Sequence, residues 1–216
     1  MNADIHRQYE KRLDIFATLL HGPHGLVAKL AIFDRLSSKF TELGEDLLKI
    51  DPLLFHFLKS MEIEVTLGTA KLIEGSKRSD GNIFKFLDFC ASNTRSINWS
   101  DGKMTSESIA KQKANIVKHR DAINSVMGRR DKSIAHLDKK YLHAPDTLQD
   151  DFPLSVQDLI ALTNELIMLV NEHERSLHPR HISFHLSEFF QMSVDNMIRN
   201  LHAGREKNFD VKLRLY

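Results

Sequence analysis

In Ser155-Val156-Gln157-Asp158-Leu159-Ile160-Ala161-Leu162-Thr163-Asn164-Glu165-Leu166-Ile167-Met168-Leu169-Val170, Leu159, Leu162, Leu166, Leu169 and Val170 recur every three or four residues. That is the spacing of one helix face. Ser155 to Asp158 resembles a capping box with Asp in the Glu position, and His178-Pro179 ends the helix. It is the clearest helix of the chain, and the same period governs most of the rest.

Ile5, Tyr9, Leu13, Phe16 and Leu20 make one such stripe, broken by Gly22-Pro23-His24-Gly25. Leu26, Leu30, Phe33, Leu36 and Phe40 make a second. Asp51-Pro52 reads as an N-cap and first-turn pair. It opens a long apolar helix through Phe55, Leu58, Met61, Val65 and Leu72 that closes near Gly75. Ser76 to Gly81 is a polar loop, Ile83 to Cys90 a short apolar helix, and Ser92 to Lys103 irregular. Thr105 or Ser106 caps a helix carrying Ile109, Ile116, Ile123 and Met127. Gly128 breaks or bends it. A helix restarts near Asp131 and runs to about Tyr141, and Pro145 to Pro153 is a loop. A last helix carries Leu186, Phe190, Val194, Met197 and Leu201, with Gly204 as its C-cap. Phe209, Val211, Leu213 and Leu215 alternate with charged residues, a strand pattern. The expectation is an all-α bundle of about seven or eight helices in a single domain over residues 1–216, with an extended C-terminal segment.

Bulk composition narrows function little. A net charge of +1, 42% hydrophobic and 27% charged residues are ordinary for a soluble domain. The single cysteine, Cys90, sits in an apolar run, reads as a small buried hydrophobe and excludes an internal disulfide. No signal-peptide h-region stands at the start, and no apolar run approaches the ~20 residues of a membrane span. The expected location is the cytoplasm. Local charge is more informative. Residues 111–140 hold nine Lys and Arg against three Asp, an excess of six.

Within that window lies Arg130-Asp131-Lys132-Ser133-Ile134-Ala135-His136-Leu137-Asp138-Lys139. Arginine holds phosphate with a planar fork of donors, and histidine moves protons near neutral pH. On a helix, Ile134, Leu137 and Tyr141 would form the buried stripe. Lys132, His136 and Lys140 would then share another face. Arg129 lies seven residues before His136 and would share its face on a continuous helix. Arg130 would be rotated by ~120°, unless Gly128 bends the chain.

This string resembles the Arg-x(4–6)-His motif of the HEPN superfamily, and its longer form, Arg-Asp-Lys-x-x-Ala-His-x-Asp, resembles the abortive-infection AbiU-like branch. The resemblance implies a helical HEPN-like bundle whose motif-bearing helices lie at about residues 105–176. It implies a metal-independent RNase, without cofactor, in which the 2′-hydroxyl attacks the adjacent phosphate. His136 would transfer the proton, and Arg130 would stabilise charge on phosphorus. Arg129 is a helper. Asp131 and Asp138 either orient these groups or are salt-bridge partners of the neighbouring bases. Lys132, Lys139 and Lys140 would contact RNA. The site would be shared across a homodimer, in a toxin–antitoxin or abortive-infection system with an antitoxin or nucleotidyltransferase as partner. The alternative is a non-catalytic HEPN module that binds RNA, nucleotide or a protein.

A second cluster comprises His173, His178, His181 and His185. His181 and His185 have the i, i+4 spacing of a metal pair. With no Glu between them and no Cys nearby, the cluster reads as solvated helix ends, with a metal site as the alternative.

Overall fold

The computed structural model describes residues 2–22, 24–74, 81–100, 104–134, 138–144, 146–177 and 186–207, and they form helices and the turns between them, with no strand among them. The order is α1 (Asn2–His21), α2 (Leu26–Leu43), α3 (Glu45–Ile50), α4 (Leu53–Ile73), α5 (Ile83–Ser92), α6 (Ser106–Val117) and α7 (Arg120–Arg129). A π-helical turn follows (Arg130–Ile134), then α8 (Lys139–His143), α9 (Asp146–Asp151), α10 (Val156–Leu177) and α11 (Leu186–Lys207). The alternating segment at 209–216 lies outside the described residues.

Most of the stripes read from the sequence converge on one core. Tyr9, Phe16, Phe33, Phe86, Leu162 and Leu166 are all at 1% exposure or less. Each such side chain stabilises the fold by ~1.5–3 kcal/mol relative to exposure. The stretch across α1 and α2 is long and apolar enough to cross a membrane by length and composition alone. It is two helices around a turn, however, and its Phe16, Leu20, Leu26, Leu30 and Phe33 are inside this core. A second cluster joins Leu36 of α2, Leu47 and Ile50 of α3, Leu54 of α4 and Val194 and Ile198 of α11. Leu58 touches both clusters.

Local chemistry sets the boundaries. Gly44, at φ +55°, turns the chain between α2 and α3, a conformation that costs other residues a Cβ clash. The sequence period did not separate α3 from its neighbours. Asp51 accepts a hydrogen bond from Leu53 N at 2.9 Å, as an opening cap should. Asn82 caps α5 through Lys85 N, while its amide donates to the Ile73 and Glu74 carbonyls at the end of α4. Thr105 is the cap of α6, in a reciprocal box with Ser108. The Ser100 backbone and hydroxyl close the end of α10 on the Ser176 and Leu177 carbonyls.

Four expectations are corrected. The helix expected through Met127 divides at Lys118 and His119 into α6 and α7. Gly128 does not break the chain; α7 runs through it into the π-turn. The glycine is there for space, because a Cβ at Gly128 would overlap the Phe152 ring. The stretch expected to be a loop at 145–153 contains α9, whose last turn is closed by Phe152 N on Leu148 O. Gly204 lies inside α11 and is not its cap.

Candidate functional site

Arg129 and Arg130 leave the end of α7 next to each other and go to different partners. Arg129 is half-buried against the α9 segment. Its Nε donates to the Phe152 carbonyl at 2.9 Å, an Nη donates to Gln149 Oε1, and Glu62 of α4 lies 3.8 Å away. Burial lowers its pKa, partly offset by Glu62. Arg130 opens the π-turn. Its Nε and Nη2 donate to Asp131 Oδ1 at 2.8 and 2.6 Å, and Nη1 pairs with Glu74 of the α4 end at 2.9 Å. Burial would lower the Arg130 pKa. Its hydrogen bonds to Asp131 and Glu74 outweigh it and raise the value. A guanidinium has five N–H donors. These contacts use three, so two remain for an oxyanion.

The continuous helix expected from Asp131 to Tyr141 is not there. The described π-turn spans Arg130–Ile134, and Asp138 is the N-cap of a new helix, accepting from Lys140 N at 3.1 Å. Asp138 N also donates to the Lys132 carbonyl at 2.9 Å, and its carboxylate lies 3.8 Å from Lys132 Nζ. Lys132 and Lys140 therefore belong to different elements and do not share one helical face. Lys140 and Tyr141 both donate to Asp151 at the end of α9, Tyr141 at 2.8 Å. The Lys140 hydrogen bond holds the Asp151 carboxyl below its ordinary range, and Tyr141 adds to it. His136 itself lies outside the described residues. The site thus brings Arg130 to Asp131 and Lys132 to Asp138. Lys139 makes no ion pair among the described residues.

The six-charge excess of residues 111–140 is largely compensated in space. Glu62, Glu74, Asp88 and Asp151 pair with Arg129, Arg130, Lys113 and Lys140. None of these acids lies within the basic window, so counting charge along the chain missed them.

His173 departs from the helix-end reading. It is fully buried. Tyr9 Oη donates to its Nδ1 at 3.0 Å, and its Nε2 donates to Gln112 Oε1 at 3.1 Å. Gln112 in turn donates to Glu172 at 2.8 Å. Burial pulls the His173 pKa down to about 3, so the ring is neutral. This is a satisfied core network. His178, His181 and His185 lie outside the described residues, among which no group of His, Cys, Asp and Glu could hold a metal ion. Cys90 is fully buried, and burial pushes its thiol pKa up, away from nucleophilic use.

The family model of AbiU2, a HEPN family, matches residues 4–201. No curated protein and no solved structure matches the chain.

Proposed function

Because the chain belongs to the AbiU2 family of HEPN domains, we propose that it is a metal-independent endoribonuclease of an abortive-infection or toxin–antitoxin system, with Arg130 and His136 as its catalytic pair. The observation that carries this reading is the placement of Arg130 in a chain of this family. It heads a π-helical turn, a distortion that concentrates at functional sites. Its guanidinium is oriented by two carboxylates and keeps two donors for phosphate.

In the proposed reaction the ribose 2′-oxygen attacks the adjacent phosphorus, and the P–O5′ bond breaks. A 2′,3′-cyclic phosphate and a 5′-hydroxyl are left. His136 of one protomer removes the 2′-proton, and His136 of the partner subunit protonates the leaving oxygen. Arg130 stabilises the charge that grows on the non-bridging oxygens. Asp131 and Glu74 hold the guanidinium in place. Such a protein works in the cytoplasm and is restrained there by an antitoxin or a nucleotidyltransferase.

The second reading, a non-catalytic RNA- or partner-binding module, draws on the acids that already engage Arg130 and on the compensated basic window. The Arg130 series separates the two. Arg130→Ala is expected to lose RNA cleavage while the fold survives. Arg130→Lys is expected to regain only part of the activity, since an ammonium lacks the planar fork. If Arg130→Ala protein cuts RNA at the wild-type rate, the arginine has no catalytic role.

A further inference from the structure

Away from the arginine turn, α2, α3 and α11 enclose a groove of about 890 Å³. It is separate from the site above. The first turn of α4 belongs to the cluster beneath the groove, whereas the far end of α4 carries Glu74, the partner of Arg130. The 21 residues of α4 put roughly 30 Å between the two.

Three contacts give the direction of the seam. Gln191 donates to Asp34 at 3.3 Å, Arg35 pairs with Asp195 through Nε and Nη2 at 2.7 Å each, and Arg205 donates to the Lys49 carbonyl. Helix α11 therefore runs parallel to α2 and on past α3. From Asp195 to Arg205 the seam is roughly 15 Å long. Arg35, Lys39, Lys49, Arg199, His202 and Arg205 line it, against the carboxylates of Asp46 and Asp195.

Among the lining residues five Lys and Arg outnumber two Asp, while Asp34 and Glu42 act on Arg35 and Glu45 on Lys49 from the margin. Lys49 pairs with Asp46 at 2.6 Å, and Lys39 with Glu42 at 2.7 Å. Arg199 makes no hydrogen bond or ion pair among the described residues. Arg205 uses one donor, on a neutral carbonyl. Asp195 is held below its usual carboxylate range, first by the Arg35 hydrogen bond and further by Lys39 and Arg199. Several cations thus converge on one carboxylate. Arg35 keeps Nη1, and Arg205 keeps Nε and Nη2, for a ligand.

The form of the groove selects among polyanions. Its cations are spaced along a seam, which suits a chain of phosphates better than one. Its floor is Leu43, Ile50 and Ile198, and its lining holds no Phe, Tyr or Trp to stack a base or anchor a protein hot spot. Its concavity suits a strand better than the plane of a bilayer. We propose that the α2–α3–α11 groove is a second RNA-contact site, holding the phosphate backbone of a single strand through Arg35, Arg199 and Arg205 without reading bases. The choice of RNA as the polyanion rests on the function proposed above; binding in the groove does not require cleavage.

The test uses fluorescence anisotropy of a labelled 2′-O-methyl RNA, which lacks the attacking hydroxyl, titrated with the full chain over a range of salt. The Arg199→Gln, Arg205→Gln double variant is expected to bind at least tenfold more weakly. Its log–log salt slope should be shallower by ~1.4, at ~0.7 for each phosphate no longer neutralised. Arg199→Gln alone breaks no described hydrogen bond, so it should keep the wild-type melting temperature and show about half of that slope change. Unchanged affinity and slope in Arg199→Gln overturns the proposal. So does poly-glutamate competing as well as RNA, or groove-dependent binding to anionic phosphatidylserine vesicles without binding to RNA. Groove-dependent RNA binding by a wild-type protein that cuts no unmodified RNA would strike the nuclease reading and leave the groove standing.

Discussion

Gly128 and His173 are the residues whose surroundings depart furthest from their sequence reading. A glycine before two arginines reads as a hinge, yet at Gly128 it makes room for the Phe152 ring. Gly128→Ala is expected to displace that ring and cost ~1–3 kcal/mol, measured by chemical denaturation. The cost should shrink in a Phe152→Ala background, because the clash partner is gone. A histidine near the end of a polar-looking helix reads as solvated, yet His173 is sealed in the core with both ring nitrogens bonded. Its folded pKa, about 3, lies below the unfolded value near 6.5. The unfolded chain therefore binds the extra proton between those values. Stability from His173 is full above pH 6.5 and falls by ~1.4 kcal/mol per pH unit below it. His21 acts in the opposite sense. The hydrogen bond to Glu174 raises its pKa, so its contribution is present at low pH and lost as pH rises through its folded value. Denaturation of wild type and His173→Gln at pH 7.5 and pH 5 should show the variant losing less stability on acidification. Equal losses would contradict the buried neutral ring. Nothing adjacent to His173 in the chain signals Tyr9 or Gln112, which arrive from α1 and α6.

At the scale of elements, apolar period carried most of the fold. The stripes of α1, α2, α4, α10 and α11 occupy the cores where the spacing put them, except that Phe55 of α4 is exposed and Phe190 of α11 lies half-buried outside both clusters. Period failed where helices are short. α3, α8 and α9 hold five or six residues each, too few to show a face, and polar contacts set their ends. The motif segment is the case with most consequence. Asp138 reads as the interior of a helix but is the N-cap of α8. Asp138→Ala is expected to cost ~1 kcal/mol by loss of the cap. Asp138→Asn should recover most of it, since asparagine caps equally well without charge. If Asp138→Asn is as unstable as Asp138→Ala, the ion pair to Lys132 matters and the cap does not. Arg129 and Arg130 were equivalent as letters. Glu62, Gln149 and Phe152 take the first and Glu74 and Asp131 the second, a division that depends on how α4 and α9 pack.

For the whole molecule, the family and the all-helical class were legible from the motif string and the period, while the charge pattern of the surface was not. Acids distant in sequence compensate the basic window, and the cationic groove gathers residues from α2, α3 and α11 that no local count groups. Two His136 side chains are needed for two proton transfers, so a homodimer is expected. Light scattering at micromolar concentration should give twice the 24.9 kDa chain mass; a monomer would remove the shared site. The claim on which the rest depends is metal-free cleavage by the Arg130 and His136 pair. Purified protein incubated with single-stranded RNA in excess EDTA tests it most directly, with the product ends identified and His136→Ala run in parallel. The wild type is expected to leave fragments ending in a 2′,3′-cyclic phosphate, and His136→Ala to cut ~100- to 10,000-fold more slowly. Intact RNA with the wild type, or equal cleavage by His136→Ala, would contradict it.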